Sequence, residues 1–308
     1  MTLTALAPPR THRHLLDVEG LSRGELERIL DRAVEMRAAL AARTHRSMLE
    51  AETVGLAFYE TSTRTRVSFE LAAKALGATV VDLGIAGSSV GKGESLIDTA
   101  RTLERTGVTI LVLRHASAGA AHLVARATGL RVVNAGDGAH AHPTQALADA
   151  LTLREAIGPL EGRTVAIVGD VLHSRVARSN IHALGTLGAR IRVAGPPAWT
   201  AGFDGWPGVE VASTLEEALA GADAVMALRV QRERGAGLSE DHTTHWRLDE
   251  EHMALAMPGV PILHPGPTNE GVEITADLAN GPRSLIGRQV ENGVPVRMAV
   301  LAILAAAA

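Results

Sequence analysis

The stretch Ser62-Thr63-Arg64-Thr65-Arg66 brings together three hydroxyl groups and two guanidinium groups. It lies between residues 54–59, whose β-branched and aromatic side chains predict a buried strand, and residues 67–76, which predict a helix. The first N–H groups of a helix have no partner within it and lie at the positive end of its dipole, so an anion is stabilised there. Hydroxyl groups and arginine forks add donors that suit phosphate oxygens. The stretch therefore predicts an oxyanion or phosphate site.

The alternative explanation for this stretch is an ordinary N-cap followed by two arginines that extend into solvent. Two arginines at the start of one helix repel each other and also oppose the helix dipole. The alternative leaves that arrangement unexplained, whereas a bound anion would account for it. We therefore favour the anion site.

Other Arg, His and Gln residues follow the C-terminal ends of further predicted strands. In open α/β sheets, ligands bind in the loops at that edge. One such loop could be solvated, but the repeated pattern predicts a small polyanionic ligand held between two domains. The segments concerned are Arg114-His115, residues 136–138 leading to His142-Pro143-Thr144-Gln145, residues 169–175, residues 229–234 and His264-Pro265-Gly266-Pro267.

Strands and helices alternate along the chain, which predicts the elements that position these residues. Near-continuous apolar strands separated by helices are typical of parallel sheets covered on both faces. We predict an α/β fold of two doubly wound parallel-sheet domains, joined by a long helix over 142–157, with a C-terminal helix over 294–304 that returns to the first domain. The predicted strands are 53–59, 79–83, 108–113, 131–134, 165–168, 190–194, 224–228 and 261–263. The other predicted helices are one from the capping box at 22–25 to about residue 40, then 64–76, 94–105, 118–128, 175–187 and 214–220.

The boundary between the two predicted domains falls in the long helix. Residues 1–148 with the C-terminal helix 292–308 would form the first domain, and residues 149–291 the second. A chain of 308 residues is long enough for two domains of ordinary size.

Composition restricts the class of protein and of site. Hydrophobic residues make up 46% of the chain but aromatic residues only 2%, so Val, Leu, Ile and Ala must fill the cores. The chain has no cysteine, which excludes disulfides, thiolate catalysis and cysteine-ligated metals, and a cytoplasmic location fits. A net charge of −4 with interspersed signs argues against general affinity for nucleic acid. We expect no signal peptide and no membrane span, because neither end carries a suitable apolar stretch.

Four motifs taken together resemble one known family. They are Phe58-Tyr59-Glu60-Thr61-Ser62-Thr63-Arg64-Thr65-Arg66, His142-Pro143-Thr144-Gln145, Arg229-Val230-Gln231-Arg232-Glu233-Arg234 and His264-Pro265-Gly266-Pro267. The set is similar to the catalytic chains of aspartate carbamoyltransferases, in one order from about residue 10 to about residue 304. Elements of the first two motifs are shared with ornithine carbamoyltransferases, whereas Arg-Val-Gln-x-Glu-Arg is the aspartate-specific one. The His-Cys-Leu-Pro motif of the ornithine enzymes is absent from the sequence.

The resemblance implies transfer of a carbamoyl group from carbamoyl phosphate to the α-amine of L-aspartate, the committed step of pyrimidine synthesis. It implies neither a metal nor a cofactor, and no nucleophilic residue of the enzyme. Thr65, Arg114 and His142 would form an oxyanion hole, in which one donor is worth about 3–4 kcal/mol. The residues implied to bind carbamoyl phosphate are Ser62, Thr63, Arg64, Thr65, Arg114, His142 and Gln145, the last orienting the carbamoyl amide. Those implied to bind aspartate are Lys92, Arg175, Arg229, Gln231, Gly266 and Pro267.

The same resemblance implies that each site is shared between subunits. Residues 88–94 match the family's mobile loop, from which Ser89 and Lys92 would reach the site of an adjacent subunit in a homotrimer. By itself, a Ser/Gly-rich loop with one lysine is usually only solvated. Association of regulatory chains or of a dihydroorotase with the trimer is left open, as are allostery and which arginine holds which aspartate carboxylate. One departure from the family pattern is Glu270, where many relatives have arginine.

Three other interpretations are less consistent with the residues. A carbamoyltransferase for ornithine or an acetylated relative would need a pocket for a cationic side chain, whereas Arg229 and Arg234 predict an anionic substrate. A catalytically silent subunit should have lost phosphate-site residues, and none is missing. A dinucleotide site at residues 165–170 would need two more glycines of its fingerprint.

Overall fold

The first half of the chain forms a four-stranded parallel sheet. The computed structural model describes residues 13–44, 48–83, 94–231 and 245–307. The strand order is β2-β1-β3-β4, so the chain reverses its direction of progress across the sheet between β1 and β3. The strands are β1 (Thr53–Phe58), β2 (Thr79–Leu83), β3 (Ile110–His115) and β4 (Arg131–Asp137). The helices of this half are α1 (Arg23–Ala42), α2 (Thr63–Ala75), α3 (Leu96–Arg105) and α4 (Ala120–Ala127).

A long buried helix, α5 (Pro143–Ile157), leads into a second parallel sheet of order β7-β6-β5-β8-β9. Here the reversal lies between β5 and β8. The strands are β5 (Thr164–Val168), β6 (Arg190–Ala194), β7 (Val209–Val211), β8 (Ala224–Ala227) and β9 (Ile262–Leu263). The helices are α6 (Arg175–Thr186), α7 (Pro197–Thr200), α8 (Leu215–Leu219), α9 (Glu250–Met253), α10 (Ala276–Asn280) and α11 (Ile286–Ala306).

The prediction of two parallel-sheet α/β domains is confirmed, as is the return of the C-terminal helix, which packs on α1, α2 and α5. Its predicted start at 294 is wrong, because α11 begins at Ile286 and passes through Pro295. A proline inside a helix removes a backbone hydrogen bond and usually ends the helix. Here Gln289 and Asn292 are buried between helices and hold the earlier turns in place.

Several strand ends also differ from the prediction. Strands β1 and β8 each end one residue earlier than predicted. In contrast, β3 continues through Arg114 and His115, and β4 continues past Asn134 to Asp137. The reason is that Arg114 is paired with Phe58 and His115 with Asp137, so the ladder extends into the polar segment. The short elements α7, β7, α9 and α10 were not predicted, since three to five residues are too few to show a hydrophobic period.

One continuous apolar core runs from α1 through α5 to α6, and it is filled mainly by Leu, Ile, Val and Ala. Because residues 146–153 of α5 are all buried, their polar side chains must find partners inside the protein. Among the helices that the structure describes, none is long and apolar enough to cross a bilayer.

Candidate active site

The turn between β1 and α2 has the geometry expected of an anion site. Ser62 is the N-cap residue of α2, has extended backbone, and makes no capping hydrogen bond with its side chain. Thr63 and Arg64 are exposed, whereas Thr65 is buried. The first turn of α2 carries no acidic residue that would compete with a bound anion. The hydroxyl of Ser62, the side chain of Arg64 and the N-terminus of the helix are therefore available to a ligand at one place.

The two arginines of this turn have different surroundings. Arg66 forms an ion pair with Asp82 on the edge strand β2. Arg64 instead extends toward the second sheet, where its guanidinium lies against Gly266: a Cβ atom at that position would coincide with it. Gly266 has φ +62°, a conformation that glycine adopts without strain. Arg66 thus has a structural partner, and Arg64 is left for the site.

Arginines from both sheets meet at one carboxylate, that of Glu60. Arg114, near the end of β3, places its Nε 3.4 Å from Glu60 Oε2. Arg175, the first residue of α6 and only 4% exposed, places its Nη1 2.8 Å from the same oxygen and also donates to Gly138 O at 3.2 Å. Two guanidiniums around one carboxylate leave a net positive charge in a partly buried position, which favours an anionic ligand.

The start of α5 contributes His142 and Gln145. His142 is the N-cap residue, is buried, and donates its backbone N–H to Ser179 Oγ on α6 at 2.9 Å. Gln145 is the one residue among 141–150 that is not buried. Its Nε2 donates to Asp149 Oδ1 at 2.8 Å. The first turn of α5 therefore offers the site one buried imidazole and one accessible amide.

A buried carboxylate, Asp170, organises the loops after β5 and β8. It accepts hydrogen bonds from the backbone N–H of Gln231 at 3.1 Å and of His173 at 3.2 Å, and lies 2.7 Å from His173 Nδ1. Gln231 Nε2 in turn donates to Arg229 O at 3.3 Å. These bonds hold Arg229 and Gln231 at the same sheet edge as Arg175. The rest of that motif, residues 232–234, lies outside the described residues.

The loop after β9 is fixed by a buried histidine. His264 Nδ1 accepts the N–H of Gly266 at 2.8 Å, so its Nε2 carries the proton and donates to Glu273 Oε1 at 3.0 Å. Glu273 also accepts the N–H of Asn269 at 2.6 Å. The Gly266–Pro267 peptide is cis. This network presents residues 265–267 toward the β1–α2 turn, where Gly266 contacts Arg64.

Most of the predicted site residues are brought to one region, although two fall outside what the structure describes. Ser89 and Lys92 lie in the stretch 84–93, between the described ranges. Direct contacts join Arg64 to Gly266, and Glu60 joins Arg114 to Arg175. Gln231 donates to Asp170 and to Arg229 O, which places both residues of that motif beside the Asp170 loop. Among residues 13–44, 48–83, 94–231 and 245–307, no group of three or more His, Cys, Asp or Glu side chains could hold a metal ion.

Sequence reasoning missed the carboxylates that hold the site together: Glu60, Asp149 and Asp170. Each accepts from groups that are distant in sequence, and such pairs leave no local pattern. Asp149 did carry a signal, since it is the one acidic residue in the otherwise apolar run of residues 146–151. A charged residue in a buried helical stretch is rarely without a polar partner.

Two protein-family models together match nearly the whole chain. Residues 13–155 match the carbamoyl-P binding domain of aspartate/ornithine carbamoyltransferase, and residues 161–304 match the Asp/Orn binding domain. An aspartate carbamoyltransferase catalytic subunit from Methylorubrum populi is 53% identical over 306 residues, which cover 97% of this chain and 96% of the relative. The corresponding subunit from Gluconobacter oxydans is 53% identical over 301 residues, covering 95% and 96%.

Solved structures of both aspartate and ornithine carbamoyltransferases are similar in fold to this chain. Aspartate transcarbamoylase from Trypanosoma cruzi, in complex with carbamoyl aspartate and phosphate, has a TM-score of 0.84 at 30% identity and covers 94% of both chains. Ornithine carbamoyltransferase from Pyrococcus furiosus has a TM-score of 0.85 at 28% identity, covering 94% of this chain and 96% of its own. Fold similarity alone does not separate the two reactions. The chain belongs to the aspartate/ornithine carbamoyltransferase family.

Proposed function

We propose that this protein transfers the carbamoyl group of carbamoyl phosphate to the α-amine of L-aspartate, giving N-carbamoyl-L-aspartate and phosphate, the committed step of de novo pyrimidine synthesis. The observation that carries the proposal is the meeting of Arg114 and Arg175 at Glu60, two residues before the N-cap of α2. A site for two anionic substrates needs cationic groups from both sheets at one place. The relatives at 53% identity are named aspartate carbamoyltransferase catalytic subunits, which supports aspartate over ornithine.

The proposed chemistry requires only positioning and charge stabilisation. The amine attacks the carbonyl carbon, the bond from that carbon to the phosphate oxygen breaks, and phosphate leaves with the electron pair. The proton lost by the amine balances the charge of the released phosphate. Thr65, Arg114 and His142 would donate to the carbonyl oxygen as negative charge builds on it, each donor being worth about 3–4 kcal/mol.

We assign the two substrates to different halves of the molecule. Carbamoyl phosphate would be bound by the first domain, residues 1–148 with 292–308, through Ser62, Thr63 and Arg64. Aspartate would be bound by the second domain, residues 149–291. Arg175, Arg229 and Gln231 would hold its carboxylates, because bidentate guanidinium contacts fix position as well as charge. The side chain of Arg175, now on Glu60, would then exchange that partner for a substrate carboxylate.

A homotrimer with shared active sites is part of the proposal. Three exposed apolar side chains support a subunit contact on α2 and the edge strand β2: Val67 is 40% exposed, Leu71 53% and Val81 39%. Strand β2 ends at Leu83, directly before the stretch that contains Ser89 and Lys92. Burying such a patch against a second copy would remove apolar surface from water. The expected cytoplasmic location also belongs to the proposal.

A substrate comparison tests the reaction. The purified protein is incubated with carbamoyl phosphate and either L-aspartate or L-ornithine, and both the carbamoylated amino acid and phosphate are measured. We expect equal amounts of carbamoyl aspartate and phosphate, and little turnover of ornithine. Faster turnover of ornithine than of aspartate would contradict the proposal, and so would phosphate release without a carbamoylated product.

A further inference from the structure

A single buried carboxylate joins three helices behind the candidate site. Asp149, in the middle of α5, is completely buried. Its Oδ1 accepts hydrogen bonds from Nε2 of Gln145 and from Nε2 of Gln289 on α11, and its Oδ2 accepts from Nδ2 of Asn180 on α6, all at 2.8 Å. Burial raises the pKa of Asp149, whereas the three N–H donors and the nearby charge of Arg297 oppose that change. All three partners are donors, so the carboxylate form is the one that this arrangement accommodates.

This arrangement determines how the amide of Gln145 is oriented. A carboxylate has no hydrogen to donate, so the part of the Gln145 amide that faces Asp149 must be its NH₂ group. The amide oxygen, Oε1, is then turned away from Asp149. Gln145 is the one residue of the 141–150 stretch that is not buried, so we expect that oxygen to be available as an acceptor. An acceptor is what the NH₂ group of a carbamoyl substrate requires.

The same carboxylate also connects to the loop on the aspartate side. Gln289, which donates to Asp149, accepts the backbone N–H of His264 through its Oε1 at 2.9 Å. His264 accepts the N–H of Gly266 through Nδ1. The chain of bonds from Gln145 through Asp149 and Gln289 therefore ends at the loop that contacts Arg64.

We propose that Asp149 is a positioning residue for carbamoyl transfer: it orients Gln145 toward the carbamoyl group and, through Gln289, holds the loop of residues 264–267 in place. The inference rests on the role proposed above for Gln145. Asp149 itself contacts no substrate in this scheme. It acts by fixing an acceptor before the substrate arrives, so that the orientation need not be found during the reaction.

The chain offers a matched control one helical turn away. Asn292 Nδ2 donates to Thr152 Oγ1 at 3.0 Å, across the same buried contact between α5 and α11. Both residues are fully buried, as Asp149 is, but their hydrogen bonds lead to Glu155, Ala148 and Arg37, not to the site. Thr152→Val removes a buried polar link of the same kind without touching the Gln145 network.

The test is a double-mutant cycle on Asp149→Leu and Gln145→Ala, with Thr152→Val as control. Leucine is similar in size but offers no acceptor to the Gln145 amide, so kcat should fall by about 10- to 100-fold in Asp149→Leu, as when other supporting residues of active sites are removed. Inhibition by inorganic phosphate, which does not involve Gln145, should change by less than about twofold. Adding Asp149→Leu to Gln145→Ala should lower kcat by less than about twofold more, because the residue through which Asp149 acts is already gone. Thr152→Val should keep the wild-type kcat.

Several results would overturn this inference. Multiplicative losses in the double mutant, or equal losses of kcat in Asp149→Leu and Thr152→Val, would mean that Asp149 has only a structural role. A low kcat in Gln145→Ala beside a wild-type kcat in Asp149→Leu would overturn the positioning role alone. A wild-type kcat in Gln145→Ala would overturn the proposed role of Gln145, and the inference with it.

A second variant covers the case in which Asp149→Leu does not fold. Gln289→Met keeps the length of the side chain but removes both of its hydrogen bonds, to Asp149 and from His264. We expect a higher KM for aspartate, because the 264–267 loop loses its anchor, with an unchanged KM for carbamoyl phosphate. An unchanged KM for aspartate would overturn the connection to the loop.

Discussion

At the scale of single residues, the candidate site depends on which charged side chains have a partner in the fold. Arg64 and Arg66 stand two positions apart, yet Arg66 has an ion pair with Asp82 and Arg64 lies against Gly266. Residue types alone identified the stretch but could not tell the two arginines apart, since Asp82 and Gly266 come close only in the folded chain. The resemblance to a family assigned Arg64 to phosphate, and the contacts of Arg66 give a physical reason for that choice.

The two arginines supply a matched pair of variants. Arg64→Ala should remain folded and lose about 10³-fold or more in kcat/KM, because phosphate would lose a charged partner worth several kcal/mol. Arg66→Ala should keep most of its activity, since a solvent-exposed ion pair contributes about 0–1 kcal/mol. Steady-state kinetics with circular dichroism of both variants checks this. Wild-type-like activity in folded Arg64→Ala would refute the phosphate assignment.

A substitution at the proposed aspartate-binding residues should affect the two substrate affinities unequally. Arg229 follows β8 in the second domain. Arg229→Ala should weaken the binding of aspartate and leave the affinity for carbamoyl phosphate near that of the wild type. Isothermal calorimetry with each substrate measures both affinities. Arg190→Ala is a suitable control, because Arg190 is exposed at the opposite, N-terminal end of its strand. Equal loss of both affinities in Arg229→Ala would mean that the two domains do not divide the substrates.

At the scale of secondary-structure elements, both sheets place the site at the point where the strand order reverses. Loops after β1 and β3 diverge in the first sheet, and loops after β5 and β8 diverge in the second. Such points open a crevice at the carboxyl ends of the strands. Alternation of apolar strands and helices was enough to predict this class of fold. Strand order was not predictable in the same way, because pairing between distant segments depends on contacts that the local pattern does not contain.

The helix contacts behind the site lead to a prediction about pH. Glu155 on α5 accepts hydrogen bonds from Arg37 on α1 and from Asn292 on α11. Burial by itself raises the pKa of Glu155, but these bonds and the charges of Arg37 and Arg288 outweigh burial and lower it below its ordinary value of 4.5. The ionised carboxyl therefore stabilises the folded state above pH 4.5, and this contribution is lost as the pH falls through the lower, folded-state pKa.

Urea unfolding of wild type and Glu155→Gln measures this contribution. At pH 7 the variant should unfold at a lower urea concentration, because the amide cannot replace the charged contacts to α1 and α11. The difference between the two midpoints should shrink as the pH is lowered below 4.5 and Glu155 becomes protonated. A difference that is the same at both ends of this range would show that the charge of Glu155 does not contribute.

At the scale of the whole molecule, specific polar contacts join the loops of the two sheets at the candidate site. Glu60 of the first sheet holds Arg175 of the second, His142 donates to Ser179, and Gly266 lies on Arg64. No pattern within either half of the sequence encodes these contacts, because their partners come together only in the folded chain. The proposed subunit contact would be a further step of the same kind, because Ser89 and Lys92 of a second copy would contribute to the site.

Whether each active site is shared between two subunits can be tested by mixing two inactive variants. If Lys92 acts across a subunit boundary, the working unit is a ring of three chains in which each junction forms one site. Lys92→Ala and Arg175→Ala trimers should each be nearly inactive. When they are dissociated and reassembled together, every mixed trimer contains one junction with an intact Lys92 from one chain and an intact Arg175 from its neighbour. About one site in three of each hybrid should then work, so activity should reappear on mixing.

The control for this experiment uses two residues of one chain. Arg114 and Arg175 contact the same Glu60, so both must come from the same subunit. No hybrid of Arg114→Ala with Arg175→Ala contains a subunit that carries both arginines, and this mixture should stay inactive at every ratio. If the Lys92→Ala and Arg175→Ala mixture also stays inactive while native mass spectrometry shows mixed trimers, Lys92 acts within its own chain or takes no part in the reaction. Activity in the Lys92→Ala and Arg175→Ala mixture, with none in the Arg114→Ala and Arg175→Ala mixture, would show that Lys92 acts from the neighbouring subunit. Arg114 would then act from the same subunit as Arg175.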